Sequence, residues 1–228
     1  GGGIGLALSI LATWWVARAA GQHLPASAAP SADELHQYKR IIIAIAWAEI
    51  GLILINNSDV LLVKRFFEAE QAGHYAALSL IGRVVFFATS AASVTLFAQA
   101  AQRQARGEAH RPLLWRTLGV VSVISLVIVL ACIIMPNLIV QILFGDAYMA
   151  IAGLLWQYAL ATALFAASNV VINYQLALGH QRSAVLSLIA GVLQVILISL
   201  FHTSLAQVVL VQICLMSVLF IAVLGLES

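Results

Sequence analysis

The stretch Ile41–Gln99, IIIAIAWAEIGLILINNSDVLLVKRFFEAEQAGHYAALSLIGRVVFFATSAASVTLFAQ, decides the fold. It reads as two apolar limbs joined by a polar turn. Glu49, Asn56, Asn57 and Asp59 lie in the first limb and Arg83 in the second, where a membrane span ordinarily carries no charge. An ionisable group at that depth is expensive in lipid and marks a functional site when a partner can be named. At 100° per residue, Glu49, Asn56 and Asp59 fall within an arc of about 80° on one helix face. Counted from the turn at Glu68 to Ala72, Asp59 lies about 12–15 Å deep, Arg83 about 15 Å and Glu49 nearer 30 Å. The depths pair Asp59 with Arg83 and leave Glu49 towards the other side. A purely architectural ion pair is the plainer reading of the same residues.

Working outward, the whole chain is 63% hydrophobic and 9% charged, with a mean hydropathy of +1.03; soluble domains carry about 25% charged residues. The expectation is an all-α, polytopic membrane helix bundle. About 20 apolar residues cross the roughly 30 Å hydrocarbon core as a helix, and about seven stretches qualify: Gly1 to Ala20, Tyr38 to Phe67, Gly73 to Gln99, Trp115 to Phe144, Ala150 to Leu178, Ser183 to Phe201 and Ala206 to Gly225. Between the first and second, residues 21–37 form a Pro/Ala/Ser linker, with Ser31 or Asp33 available to cap the next helix. Residues 1–20 therefore read as one span before a boundary, and residues 38–228 as a six-helix bundle after it. Pro136 removes a donor and clashes with the preceding turn, which predicts a kink at Ile133 to Pro136 or a break before Asn137. The opening Gly1-Gly2-Gly3-Ile4 without Met and the apolar close at Leu224-Gly225-Leu226 suggest a piece of a longer protein.

Loop charge gives the orientation. Arg18, Lys39, Arg40, Arg103, Arg106, Arg111, Arg116 and Arg182, eight of the eleven basic residues, fall on one side; Lys64 and Arg65 fall on the other. Short loops rich in Lys and Arg face the cytoplasm. The linker and the Ala100 to Leu114 loop are thus expected inside, and Glu68 to His74, Asp146 and His202 outside.

Other spans also carry polar stripes: Ser79, Arg83 and Ser90; Tyr158, Thr162, Asn169 and Asn173; Ser183, Ser187, Gly191 and Gln194. The plain account is hydrogen bonding and close approach between helices. The sharper one is an interior wetter than the lipid face, with Arg83, Asp59, Glu49, Asn56, Tyr158, Asn169, Asn173 and Gln194 as cavity residues. Cys132 and Cys214 sit in separate apolar runs and read as small hydrophobes. No catalytic motif, metal-ligand spacing or phosphate-cradling loop appears, so an enzyme, a cofactor and a nucleic-acid partner are not expected.

Several phrases occur together and in order: Asn57-Ser58-Asp59-Val60-Leu61-Leu62-Val63, Phe66-Phe67 and Ala72-Gly73-His74-Tyr75-Ala76-Ala77, then Leu143-Phe144-Gly145-Asp146-Ala147-Tyr148 with Ala152, Leu154 and Leu155, then Gln175-Leu176-Ala177-Leu178-Gly179. Over Tyr38 to Gly225 the chain resembles the second half of lipid-linked oligosaccharide flippases of the O-antigen and capsule type. These belong to the multidrug/oligosaccharidyl-lipid/polysaccharide exporter superfamily. The resemblance implies the C-terminal half of a MATE-like flippase, in which two six-helix halves enclose a cavity that opens alternately to either side. It implies translocation of a polyprenyl-pyrophosphate-linked oligosaccharide across a bacterial or archaeal inner membrane, with Arg83 contacting the pyrophosphate, Asp59 holding or releasing it and Glu49 serving coupling. The implied partners are the lipid-linked oligosaccharide, membrane lipids, the missing N-terminal half and the polysaccharide polymerase machinery. A cation-coupled multidrug exporter of the same superfamily and a non-transporting scaffold of a polysaccharide assembly complex are the alternatives.

Overall fold

The computed structural model describes the backbone of residues 32–227 and the side chains of residues 42–227. The chain divides into two units, Gly1–Arg40 and Ile41–Ser228. The first expected span, Gly1 to Ala20, and most of the linker lie outside the described residues. Residues 32–37 of that linker are helical, because α1 begins at Ala32.

The described residues are helical with no strand. They comprise α1 (Ala32–Phe66), α2 (Ala69–Ala105), α3 (Arg111–Ile134), α4 (Pro136–Phe144), a 3-10 segment (Asp146–Leu154), α5 (Leu155–Ala177), α6 (Arg182–Leu200) and α7 (Leu205–Gly225). Six stretches among them are long and apolar enough to cross a membrane: Ile42–Phe66, Ala69–Ala105, Arg111–Ile134, Asp146–Ala177, Arg182–Leu200 and Leu205–Gly225. Each matches an expected span from Tyr38 onward. Side chains such as Val94, Ile134 and Ile142 stand largely exposed on the outer faces, as lipid-facing residues do.

Local chemistry sets the boundaries. α3 stops at Ile134, Met135 takes φ −130 and ψ 45, and Pro136 opens α4 as its first residue, a position where its missing donor does no harm. The break expected before Asn137 is therefore present. At one end of the bundle, α2 and α5 close with the same device. Gly107 (φ 68) and Gly179 (φ 80) follow Arg106 and Leu178, and the next amides, Glu108 and His180, return to the carbonyls of Arg103 and Gln175 at 2.9 Å each. This satisfies carbonyls left over at a helix end and requires a residue that tolerates positive φ. α7 opens with Ser204 accepting from the Gln207 amide at 3.2 Å, while Gln207 Oε1 accepts from the Thr203 amide and hydroxyl, a variant of the reciprocal cap.

α5 is the central helix of the Ile41–Ser228 unit and packs against α2, α3, α6 and α7. Phe165 to Ile172 are all buried, which a helix surrounded on every side requires. Ala161, Ala166 and Ala167 keep it thin enough for close neighbours. The loops gather at two ends, as the charge count required. His110 Nδ1 lies 2.6 Å from the Tyr174 hydroxyl, Arg111 donates to the Glu227 carbonyl at 2.9 Å and Gln104 to the Leu178 carbonyl at 3.3 Å, forming the basic end. At the opposite end Phe66 stacks on His202 at 4.1 Å, and His74 meets the Ala147 carbonyl at 3.1 Å. Apolar side chains fill both ends, one cluster around Leu96, Phe165 and Tyr174 and the other around Val63, Leu78 and Ile198.

Candidate functional site: a caged aspartate beside an unpaired arginine

Asp59 is 1% exposed. Its Oδ2 accepts from the Tyr158 hydroxyl at 2.7 Å, Gln212 Nε2 at 2.9 Å and the Tyr75 hydroxyl at 3.0 Å. Tyr75 has Gln212 Oε1 as an alternative acceptor at 3.1 Å, and its single hydroxyl proton serves one of the two at a time. Oδ1 is buried and has no hydrogen-bond partner. One carboxyl thereby joins α1, α2, α5 and α7, and the two tyrosine rings meet edge to face at 5.7 Å. Removing any one member leaves buried polar groups unmatched, at roughly 1–3 kcal/mol each.

The expected ion pair between Asp59 and Arg83 is not formed. Among the described residues the one ion pair is Arg106 with Glu108, at 4.0 Å on the surface. The reason is azimuth. α2 buries Tyr75, Leu78, Gly82 and Val85 against its neighbours, and Arg83 lies about 100° round the helix from Gly82. Tyrosines and an amide therefore occupy the positions from which Asp59 can be reached. Gly82 itself meets Tyr158 and Thr162 so closely that a Cβ there would collide with both. The lack of a side chain at that position is what lets α2 present Arg83 beside α5.

Arg83 makes no ion pair or hydrogen bond with any described residue, and its side chain is exposed. It borders two openings. The smaller, about 30 Å³, is lined by Asn56, Ser79, Arg83, Tyr158, Thr162, Gln194 and Gln212 with Ile55, Phe165 and Met216; that is room for a water or two among polar groups. The larger, about 570 Å³, runs between α2, α4 and the 3-10 segment, with Val60 of α1 also on its lining. Ser79 and Arg83 are common to both. The arrangement offers hydrogen bonds and one guanidinium in a membrane-embedded cleft; it contains no nucleophile paired with a base.

Of the residues singled out from sequence, Asn56, Arg83, Tyr158 and Gln194 come together on the small cavity, and Asp59 sits behind Tyr158 and Gln212. Gln194 is also a structural tie, donating to the Ile55 carbonyl at 2.9 Å and to Ser58 Oγ at 3.1 Å. Asn169 and Asn173 do not join the cavity; Asn173 Nδ2 donates to both the carbonyl and Oδ1 of Asn169 at 2.9 Å. Glu49 is exposed on α1 and lines neither opening. Ser187 and Gly191 serve close packing: a Cβ at Gly51 would stand 2.5 Å from the Ser187 carbonyl carbon, and one at Gly191 2.8 Å from Leu54 Cβ. Sequence reading missed Tyr75 and Gln212. The signal for Gln212 was its place in mid-helix, an amide between Val211 and Ile213 in a strongly apolar helix.

A family model described as polysaccharide biosynthesis protein matches residues 6–153. Neither a curated protein nor a solved structure matches the chain significantly. The matched residues include Asp59, Tyr75 and Arg83, whereas Tyr158, Gln194 and Gln212 lie beyond them. With more than half of its length matched and six helices able to cross a membrane, the chain is a multi-pass membrane protein and belongs to the polysaccharide biosynthesis protein family.

Proposed function

We propose that the protein translocates a polyprenyl-pyrophosphate-linked oligosaccharide from the cytoplasmic to the outer leaflet of a prokaryotic inner membrane, as a transporter and not as an enzyme. The observation that carries this reading is Arg83, a guanidinium within a membrane-competent helix that has no partner among the described residues and stands at the junction of two openings. An unpaired cation at that depth is costly to insert and is kept where it meets an anion, and the planar guanidinium fork suits phosphate oxygens. In a polysaccharide biosynthesis protein the anion to be moved is the pyrophosphate of the lipid carrier, which would reach Arg83 from the larger opening. The first half of the same protein supplies the facing wall, and polymerase machinery takes the product. A cation exporter is less well supported, because Arg83 borders both openings while Glu49 lines neither. Disrupting the gene and measuring the sidedness of lipid-linked oligosaccharide tests the reading: accumulation on the inner leaflet supports it, and an unchanged distribution sinks it.

A further inference from the structure

The larger opening has a composition unlike the smaller one. Its floor is the Gly73, Ala76, Ala77 and Leu80 face of α2, and its far wall is Leu143, Phe144 and Tyr148. Ser79 and Arg83 supply the polar side chains of its inner end. α4 begins at the Pro136 break, and its end with the start of the 3-10 segment forms the wall facing α2. The start of that segment is fastened over the start of α2 by the His74 contact with the Ala147 carbonyl and by the edge-on packing of His74 and Tyr148 at 5.4 Å. Leu80 and Leu143 are 47% and 56% exposed, so the groove is open along its flank. From Gly73 to Arg83 it runs about 15 Å, half the hydrocarbon thickness. Its volume is that of a small-molecule site.

An apolar trough with one unpaired guanidinium at its end suits an amphiphile with a single anionic group joined directly to a hydrocarbon. We propose that this groove holds the phosphate-proximal isoprene units of a polyprenyl phosphate, with the phosphate on Arg83 and the remaining tail leaving through the open flank into the bilayer. The inference rests on the transport reading and gives the carrier lipid a definite place on this half of the protein. Gly73, Ala76 and Ala77 provide the width, Phe144 and Leu143 pack against the branched chain, and Arg83 fixes the register. A diacyl phospholipid has the charge but needs room for two chains beside it, where one trough is present.

The test uses the full chain in phosphatidylcholine nanodiscs, with a sugar-free polyprenyl monophosphate that carries a diazirine in its first isoprene units. The expected result is cross-linking to residues 73–80 and 143–148, competed by unlabelled polyprenyl phosphate and not by an equal amount of phosphatidylglycerol. Arg83→Gln lowers the labelling about tenfold, the loss of one charge-assisted contact. Ala76→Trp, which fills the trough with Arg83 in place, abolishes labelling there; Leu80→Gln, on the exposed flank, reports the same contact if the tryptophan variant does not fold. Labels that map elsewhere, or equal competition by phosphatidylglycerol, overturn the proposal. If the gene disruption traps lipid-linked oligosaccharide while the labels map elsewhere, the transport reading stands and the groove fails. If the labels map to the groove and disruption has no effect on leaflet sidedness, the transport reading fails instead.

Discussion

Asp59 and Arg83 lie at similar depth on adjacent helices and have opposite surroundings. The carboxyl is enclosed by donors from three other helices, whereas the guanidinium has no partner among the described residues and borders two openings. A side chain bonded to several helices of the bundle holds them together, and one whose bonds are left open is available to something that arrives. The pair expected from sequence would have given both residues one role. The structure separates them into a clasp and a contact, and mutation should separate them too.

The largest stability loss is expected at the clasp. Asp59→Ala strands the Tyr158 hydroxyl and the Gln212 amide, each at roughly 1–3 kcal/mol, so purified protein should melt several degrees lower with reduced yield. Gly82→Val follows, because the added atoms meet Tyr158 and Thr162; overpacking of this kind costs about 1–3 kcal/mol, and detergent-solubilised protein should show it as a lower melting temperature. Tyr158→Phe removes one donor at 2.7 Å and should lower stability by about 1–2 kcal/mol, leaving Tyr75 and Gln212 on the carboxyl. At the contact the order reverses: Arg83→Ala should change stability by no more than about 0.5 kcal/mol while transport falls about tenfold or more. Glu49→Gln, on an exposed face, should leave the melting temperature unchanged. A large stability loss at Arg83, or a silent Asp59→Ala, would erase the distinction.

The helices from Tyr38 onward were legible because crossing a membrane demands long apolar runs, and the two ends were legible because arginine placement follows the loops. Pro136 announced its break through its missing donor. The limits of α2 were not legible: helical bonding continues through polar residues such as Gln102 and Arg103, so hydropathy ends the span before the helix ends. Nor was the 3-10 segment, since Asp146 to Leu154 reads simply as the approach to an apolar run. The Asp59 partner was misjudged because counting residues from a turn measures depth along the axis, whereas partnership depends on direction around it. Gly82 was the informative residue there, for a small residue at that position marks the face of α2 that is pressed against α5. Gln212 shares α7 with Gln207 and Ser217, each five residues away and so about 140° round the helix, so no stripe formed and periodicity could not raise it.

Translocation turns on what Arg83 does in a living cell. The decisive measurement is the sidedness of lipid-linked oligosaccharide in a strain whose only copy carries Arg83→Ala at the normal protein level. Accumulation on the inner leaflet, partly relieved by Arg83→Lys, is the expected result; an outer-leaflet fraction equal to that of the unaltered strain would contradict the account.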